Sequence, residues 1–163
     1  SSEASPRART APSWEGLSIL FKQFLEDNGF YKYCPEGAKN YVFVKVTNNL
    51  IDHTDEKQIK DFVLNHLIDI DDISIYNYFA DHTRFFKEEF LSLLSTIDIY
   101  FIEDSKTTSY LYYKNCAVKI TKDNLEIIDY LDLGGYVWKD PSRGARGVGP
   151  RTGRLYFRKT LLK

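Results

Sequence analysis

Tyr41-Val42-Phe43-Val44-Lys45-Val46-Thr47-Asn48-Asn49-Leu50-Ile51 is the stretch on which the reading of the fold turns. Val42, Val44 and Val46 recur at every second residue, the period of a half-buried strand. Asn48-Asn49 tolerates the positive φ angles of a two-residue hairpin, which returns the chain through Leu50 and Ile51. Upstream, Leu17, Leu20, Phe21, Phe24 and Leu25 fall at helical spacing between Trp14 and Asp27. Asn28-Gly29 supplies the left-handed stop of a helix C-terminus. Phe30-Tyr31-Lys32-Tyr33 then reads as a short strand and Pro35-Glu36-Gly37 as a loop. The N-terminal piece is helix, strand, hairpin.

Downstream, Asp55 with Gln58 three residues later forms a capping box that opens a helix through about Ile68. Ile59, Phe62, Val63 and Leu67 are its buried stripe, and His66 beside them is a structural histidine. Ile73 to Phe79 fits a shorter helix or an extended link, and both readings stand. Phe86, Phe90, Leu93, Leu94 and Ile97 follow the pattern i, i+4, i+7, i+8, i+11, which predicts a second helix from near Thr83 to Ile97. From Asp98 the pattern turns to strands: Ile99 to Ile102, Ser109 to Tyr113, Cys116 to Thr121 and Leu125 to Tyr130. Asp104-Ser105-Lys106, Lys114-Asn115 and Asp123-Asn124 are the turns between them. The expected class is α+β, with short antiparallel hairpin and meander elements flanking a helical middle and a second antiparallel meander at the C-terminal end.

The chain has 163 residues, with 22 Lys and Arg against 23 Asp and Glu. That length sets a prior of one domain. Its longest apolar runs fall far short of the ~20 residues that span a bilayer, and the N-terminus shows no apolar signal region. Cys34 and Cys116 have no CxxC spacing, against a disulfide scaffold or a cysteine zinc site. The expectation is a cytoplasmic protein without membrane contact.

The even charge balance hides a partition. Residues 14–138 carry 12 basic and 21 acidic groups, a net of −9, whereas residues 139–163 carry 8 basic groups and one acid, a net of +7. Residues 14–139 are expected to form the domain, with 1–13 as a disordered arm and 140–163 as a basic Arg/Gly-rich tail. Arg143, Arg146, Arg151 and Arg154 in that tail are candidate phosphate contacts, since each neutralised phosphate releases counterions. A competing reading makes both flanks foreign, because the body is nearly free of Arg while the flanks are rich in Arg, Gly, Ala and Pro.

No constellation for a reaction emerges. Gly144 and Gly149 have P-loop spacing, but Pro150-Arg151 replaces the Lys-Ser/Thr that a phosphate cradle needs. His53, His66 and His82 make no metal-ligand pair. Asp69, Asp71 and Asp72 read as a solvated acidic loop, with a two-metal polymerase site as the minor alternative. No catalytic residue, metal site or cofactor is expected. Binding is a different matter. Lys32, Lys39 and Lys45 interleave with Tyr31, Tyr33, Tyr41 and Phe43, and Tyr41, Phe43 and Lys45 share the hairpin face opposite the valines. Exposed aromatics beside cations stack bases and hold phosphates. The alternative is that this face packs under the helix of Phe86–Ile97, leaving only lysine tips wet.

Tyr112-Tyr113-Lys114-Asn115-Cys116-Ala117-Val118-Lys119-Ile120, Leu125-Glu126-Ile127-Ile128-Asp129-Tyr130 and Leu133-Gly134-Gly135-Tyr136-Val137-Trp138-Lys139 resemble a segment of phage- and mobile-element-type primase–helicases. There a (F/Y)-x-N-(G/C)-x-V-x-(I/V) hairpin and a Y-x-x-L-x-G-Y-(V/I)-W exit precede a superfamily III helicase module. Gly29 to Tyr33 and Tyr41 to Val44 resemble the start of the same block. The likeness covers roughly residues 16–139 and stops at Asp140, where a family member continues toward its ATPase. It implies a non-catalytic accessory domain that positions DNA or helps assemble the helicase. The partners implied are single-stranded DNA, the helicase domain or other replication proteins. A structural or protein-interaction domain, forming a homo-oligomer without nucleic acid, is the alternative function. The acidic body is a poor footprint for duplex DNA, so any contact should be a local patch.

Overall fold

The computed structural model describes residues 14–139, an α+β chain with antiparallel meanders at both ends and helices between them. Helix α1 (Trp14–Asp27) ends at Gly29, whose φ of +87° suits a residue without a β-carbon. A β-carbon there would lie 2.2 Å from the Val46 carbonyl oxygen. Glycine thus lets β1 (Phe30–Tyr33) start against β2 (Val42–Thr47), with Val46 N–H donating to Gly29 O at 2.8 Å. Asn48 and Asn49, at φ 49° and 63°, make the two-residue turn into β3 (Leu50–Thr54). Phe43 pairs with Thr54 and Thr47 with Leu50 along this hairpin. The expected helix, strand and hairpin are all present.

Helix α2 (Glu56–Asp69) begins where the Asp55 carboxylate accepts from Gln58 N–H at 2.8 Å, and it buries Ile59, Val63 and Leu67. Ile73 to Phe79 belongs to a helix, α3 (Ile73–Asp81), capped by Asp72 accepting from Ile75 N–H. The long helix expected over Thr83–Ile97 does not form. A 3-10 turn (Thr83–Phe86) leads through extended Lys87 (φ −86°, ψ 150°) into a single turn, α4 (Glu88–Leu91). The reason is visible in the packing. Consecutive Phe85 and Phe86 are both buried, which the 100° step of an α-helix does not favour for a one-sided stripe, and the Glu56 carboxylate accepts from Glu88 N–H at 2.6 Å. Beyond it the chain extends alongside β1, where Lys32 N–H donates to Ser95 O and Ile97 N–H to Lys32 O.

The first sheet has the order β1-β2-β3-β7, in which β7 (Val137–Trp138) is parallel to β3 and unforeseen from sequence. One face packs Phe30 and Phe43 on the helical layer, around Phe21, Leu25, Ile59, Phe85 and Leu91. Phe21 is the centre of that aromatic core, with ring centroids 4.7 Å from Phe79 and 5.6 Å from Phe85. The valine face is closed by Trp138, Ile97, Ile99 and Phe101. Trp138 stacks on His53 at 4.7 Å and on Phe101 at 5.5 Å.

The C-terminal meander has three strands, β4 (Thr108–Tyr112), β5 (Ala117–Thr121) and β6 (Leu125–Ile128). Ile99–Ile102, expected as a fourth, instead bridges Phe101 to Tyr136, because its apolar side chains close the valine face of the first sheet. Tyr112, Ala117 and Ile128 pack on Tyr130, Leu133, Val137 and Leu50, joining the meander to the first sheet. The Asn49 side-chain amide fastens this junction by donating to Tyr130 O and Leu133 O, each at 2.9 Å. No helix of the described residues is long and apolar enough to cross a membrane.

Candidate nucleic-acid interface

Strand alternation sets out the face that carries the candidate residues. Phe43 and Lys45 point from β2 toward the helical layer, on the side opposite the buried Val44. Phe43 is packed there rather than open for stacking. Tyr41, half-buried beside it with ring centroids 5.4 Å apart, donates its hydroxyl to the Glu88 carboxylate at 3.2 Å. Burial, then the Glu88 charge, holds the Tyr41 phenol above its ordinary value. The Lys32 ammonium lies 5.1 Å from the centre of the Tyr41 ring and donates to Ser92 O at 2.6 Å. Lys39 is exposed in the loop between β1 and β2. These rings and Lys32 therefore bind the hairpin to its helical cover. The segment above them is the broken turn of Thr83–Leu91, where a long helix was expected.

Lys45 is different. Its ammonium sits 4.0 Å from the centre of the Phe62 ring and 5.0 Å from that of Phe30, a cation held by π-faces. It borders a cavity of about 350 Å³ whose wall includes Thr47, Asp52, His53, Thr54, Gln58 and Lys139. Lys139 arrives there because its N–H donates to Ile51 O at 2.7 Å, continuing the β7–β3 pairing. Burial pulls the Lys45 ammonium below its ordinary value, and the Lys139 charge adds to the effect. Two cations that raise each other's energy are suited to an anion placed between them, with hydroxyls and an amide as further donors. Asp52, the cross-strand partner of Lys45, keeps the cavity from being strongly positive. Lys139 was missed in the sequence because a two-residue strand leaves no periodic signal.

Arg143, Arg146, Arg151 and Arg154 lie outside the described residues. Among the described residues, no group of three or more His, Cys, Asp or Glu is placed to hold a metal ion, and Asp72 is the cap of α3. His66 packs 5.1 Å from the Phe24 ring. A second cavity, of about 620 Å³, carries Glu36, Asp98 and Glu103 and has the wrong sign for phosphate. No family model, curated protein or solved structure matches the chain.

Proposed function

We propose that this chain contains a non-catalytic accessory domain of a replicative primase–helicase, which holds the backbone of single-stranded DNA at the Lys45–Lys139 cavity. One observation carries the reading: two cations from distant parts of the sequence converge on a cavity of mixed polar and apolar lining beside β7. The sequence likeness to primase–helicases supplies the biological setting. Of the stretches that carry it, Phe30 and Lys139 line that cavity, while the meander and the turn of Tyr130 pack in a separate cluster against Leu50 and Val137. Base stacking on Tyr41 and Phe43 is not part of the proposal, since both rings are engaged by the domain itself.

The test is fluorescence anisotropy of a labelled oligo-dT with the full chain and with its Lys45→Ala/Lys139→Ala variant. Two phosphate contacts predict that raising salt from 50 to 200 mM weakens the cavity's share of binding by about sevenfold. The double variant should lose that share. If it binds DNA as tightly as the wild type, with an unchanged salt slope, the cavity is not the site and the proposal is wrong.

A further inference from the structure

The cavity of about 620 Å³ lies along the strap from Thr96 to Glu103, and the DNA reading makes no use of it. Its walls hold the rings of Tyr33, Tyr100, Phe101 and Tyr110. Glu36, Asp98 and Glu103 stand among them, and no Lys, Arg or His of the described residues lines it. Within the described residues the three carboxylates have neither a hydrogen bond nor an ion pair. An anion meets only repulsion there, whereas a cation meets three charges that nothing neutralises.

Surface carboxylates are ordinarily just solvated, and the rings set these apart. Among the described aromatic side chains, Tyr100 alone is largely exposed, at 74%. Its backbone is nonetheless fixed: Tyr136 N–H donates to Tyr100 O at 2.7 Å, and Ile102 N–H donates to Tyr136 O at 3.0 Å. Gly135 makes room for it, since a β-carbon there would lie 2.7 Å from Tyr100 O and 3.1 Å from its ring. Tyr33 and Phe101 pack edge to face, with ring centroids 5.9 Å apart. Ring faces held beside carboxylates attract an organic cation.

Spacing selects among such cations. The strap bridges Lys32 of β1 at Thr96 and Tyr136, just before β7, at Phe101. It thus crosses a four-stranded sheet whose strands are about 4.8 Å apart, a span of about 14 Å. The carboxylates along it do not converge, and no group of three is placed to hold a metal ion among the described residues. A small ion meets one carboxylate at a time. A linear polyamine meets all three, with its methylenes lying on the rings and on Ile99 and Ile102. The volume falls within the range of about 300–1,000 Å³ typical of small-ligand sites.

We propose that this groove binds a linear polyamine with at least three ammonium groups, Tyr100 supplying an open π-face and Glu36, Asp98 and Glu103 the counter-charges. Tyr33 and Phe101 belong to the valine side of the first sheet, opposite Lys45, so the site stands independently of the DNA reading.

The experiment is isothermal titration calorimetry of spermidine into the full chain at low salt, with putrescine and Mg²⁺ as comparators. One saturable site is expected for spermidine, with weaker binding of putrescine, which has one ammonium fewer. Tyr100→Ala and Asp98→Asn should each weaken spermidine binding by about threefold. The triple variant Glu36→Gln/Asp98→Asn/Glu103→Gln should weaken it by about thirtyfold. Tyr100→Phe keeps the ring and should bind like the wild type. So should Asp123→Asn/Glu126→Gln, which removes two exposed carboxylates from the meander. Melting temperatures should stay at wild-type values, because every altered side chain is exposed. The proposal is overturned by the absence of saturable heat, or by undiminished binding in Tyr100→Ala and the triple variant. It is equally overturned if the Asp123/Glu126 variant loses as much, or if Mg²⁺ at equal charge displaces spermidine completely, since either result means diffuse attraction to an acidic surface.

Discussion

Asn49 is where a local turn and a long-range junction meet, and replacing it separates the two contributions. Its backbone sits at φ 63°, and its side-chain amide donates to Tyr130 O and Leu133 O. Asn49→Gly keeps the turn and removes both hydrogen bonds. At about 1 kcal/mol each the loss is about 2 kcal/mol, with Tyr130 O keeping the Leu133 N–H at 3.3 Å. Asn49→Ala loses the same bonds and, unlike Asn, has no short polar side chain to ease the left-handed region, for about 1 kcal/mol more than Gly. Asn48, at φ 49° in the same turn, serves as control: Asn48→Gly should be near neutral and Asn48→Ala should cost about 1 kcal/mol. Urea unfolding followed by Trp fluorescence reads these directly. With a slope of about 2 kcal/mol per molar, the midpoint should fall by about 1 M for Asn49→Gly and about 1.5 M for Asn49→Ala. If Asn49→Gly unfolds with the wild type, the amide does not join the two sheets. If the Ala and Gly variants coincide, the left-handed backbone costs nothing and the turn has been misread.

Acid should expose the α1 anchor. Burial pushes the Glu26 carboxyl up, but the Lys22 ammonium and Ser95 N–H, each at 2.7 Å, outweigh it and leave the group below its ordinary 4.5. Its contribution is therefore complete above that value and disappears as pH falls through the depressed one, so melting curves of wild type and Glu26→Gln should converge in acid. A gap that stays constant with pH would refute this. At the alkaline end, burial raises the phenols of Tyr112 and Tyr130 well above 10.0. Stability from these groups is complete below pH 10 and declines above it, and in an absorbance titration at 295 nm both should ionise only as the chain unfolds. Titration of all 12 tyrosines near pH 10 in the folded protein would contradict their burial.

The elements legible in the sequence are those whose information is local. Valine alternation, two asparagines in the left-handed region and an Asp55–Gln58 cap each act within a few residues, and each is found as read. The segment from Thr83 to Ile97 misleads because its apolar spacing is truly helical and contains neither Gly nor Pro. What breaks it is tertiary: Phe85 and Phe86 both enter the core, Glu56 claims the Glu88 N–H, and Ile97 crosses to the other side of the sheet. The candidate site divides in the same way. Lys45 was visible from its strand, but its partner Lys139 depends on the pairing of β7 with β3, and Tyr41 and Phe43 were drawn inward by contacts no spacing reports.

That pairing sets a timetable for synthesis. Leu50 and Ile51 emerge from the ribosome long before Val137 and Trp138, the residues that hydrogen-bond to their strand and complete its sheet. With roughly ninety residues still to be translated at about 5–20 per second, the outer margin of β3 waits on the order of ten seconds for its mate. Throughout that interval the nascent hairpin presents an unmated strand edge to neighbouring chains or to a holding chaperone. Premature termination before Tyr136 would prolong that hazard indefinitely, so a fragment ending there should be prone to clump even though it retains every helix of the described residues.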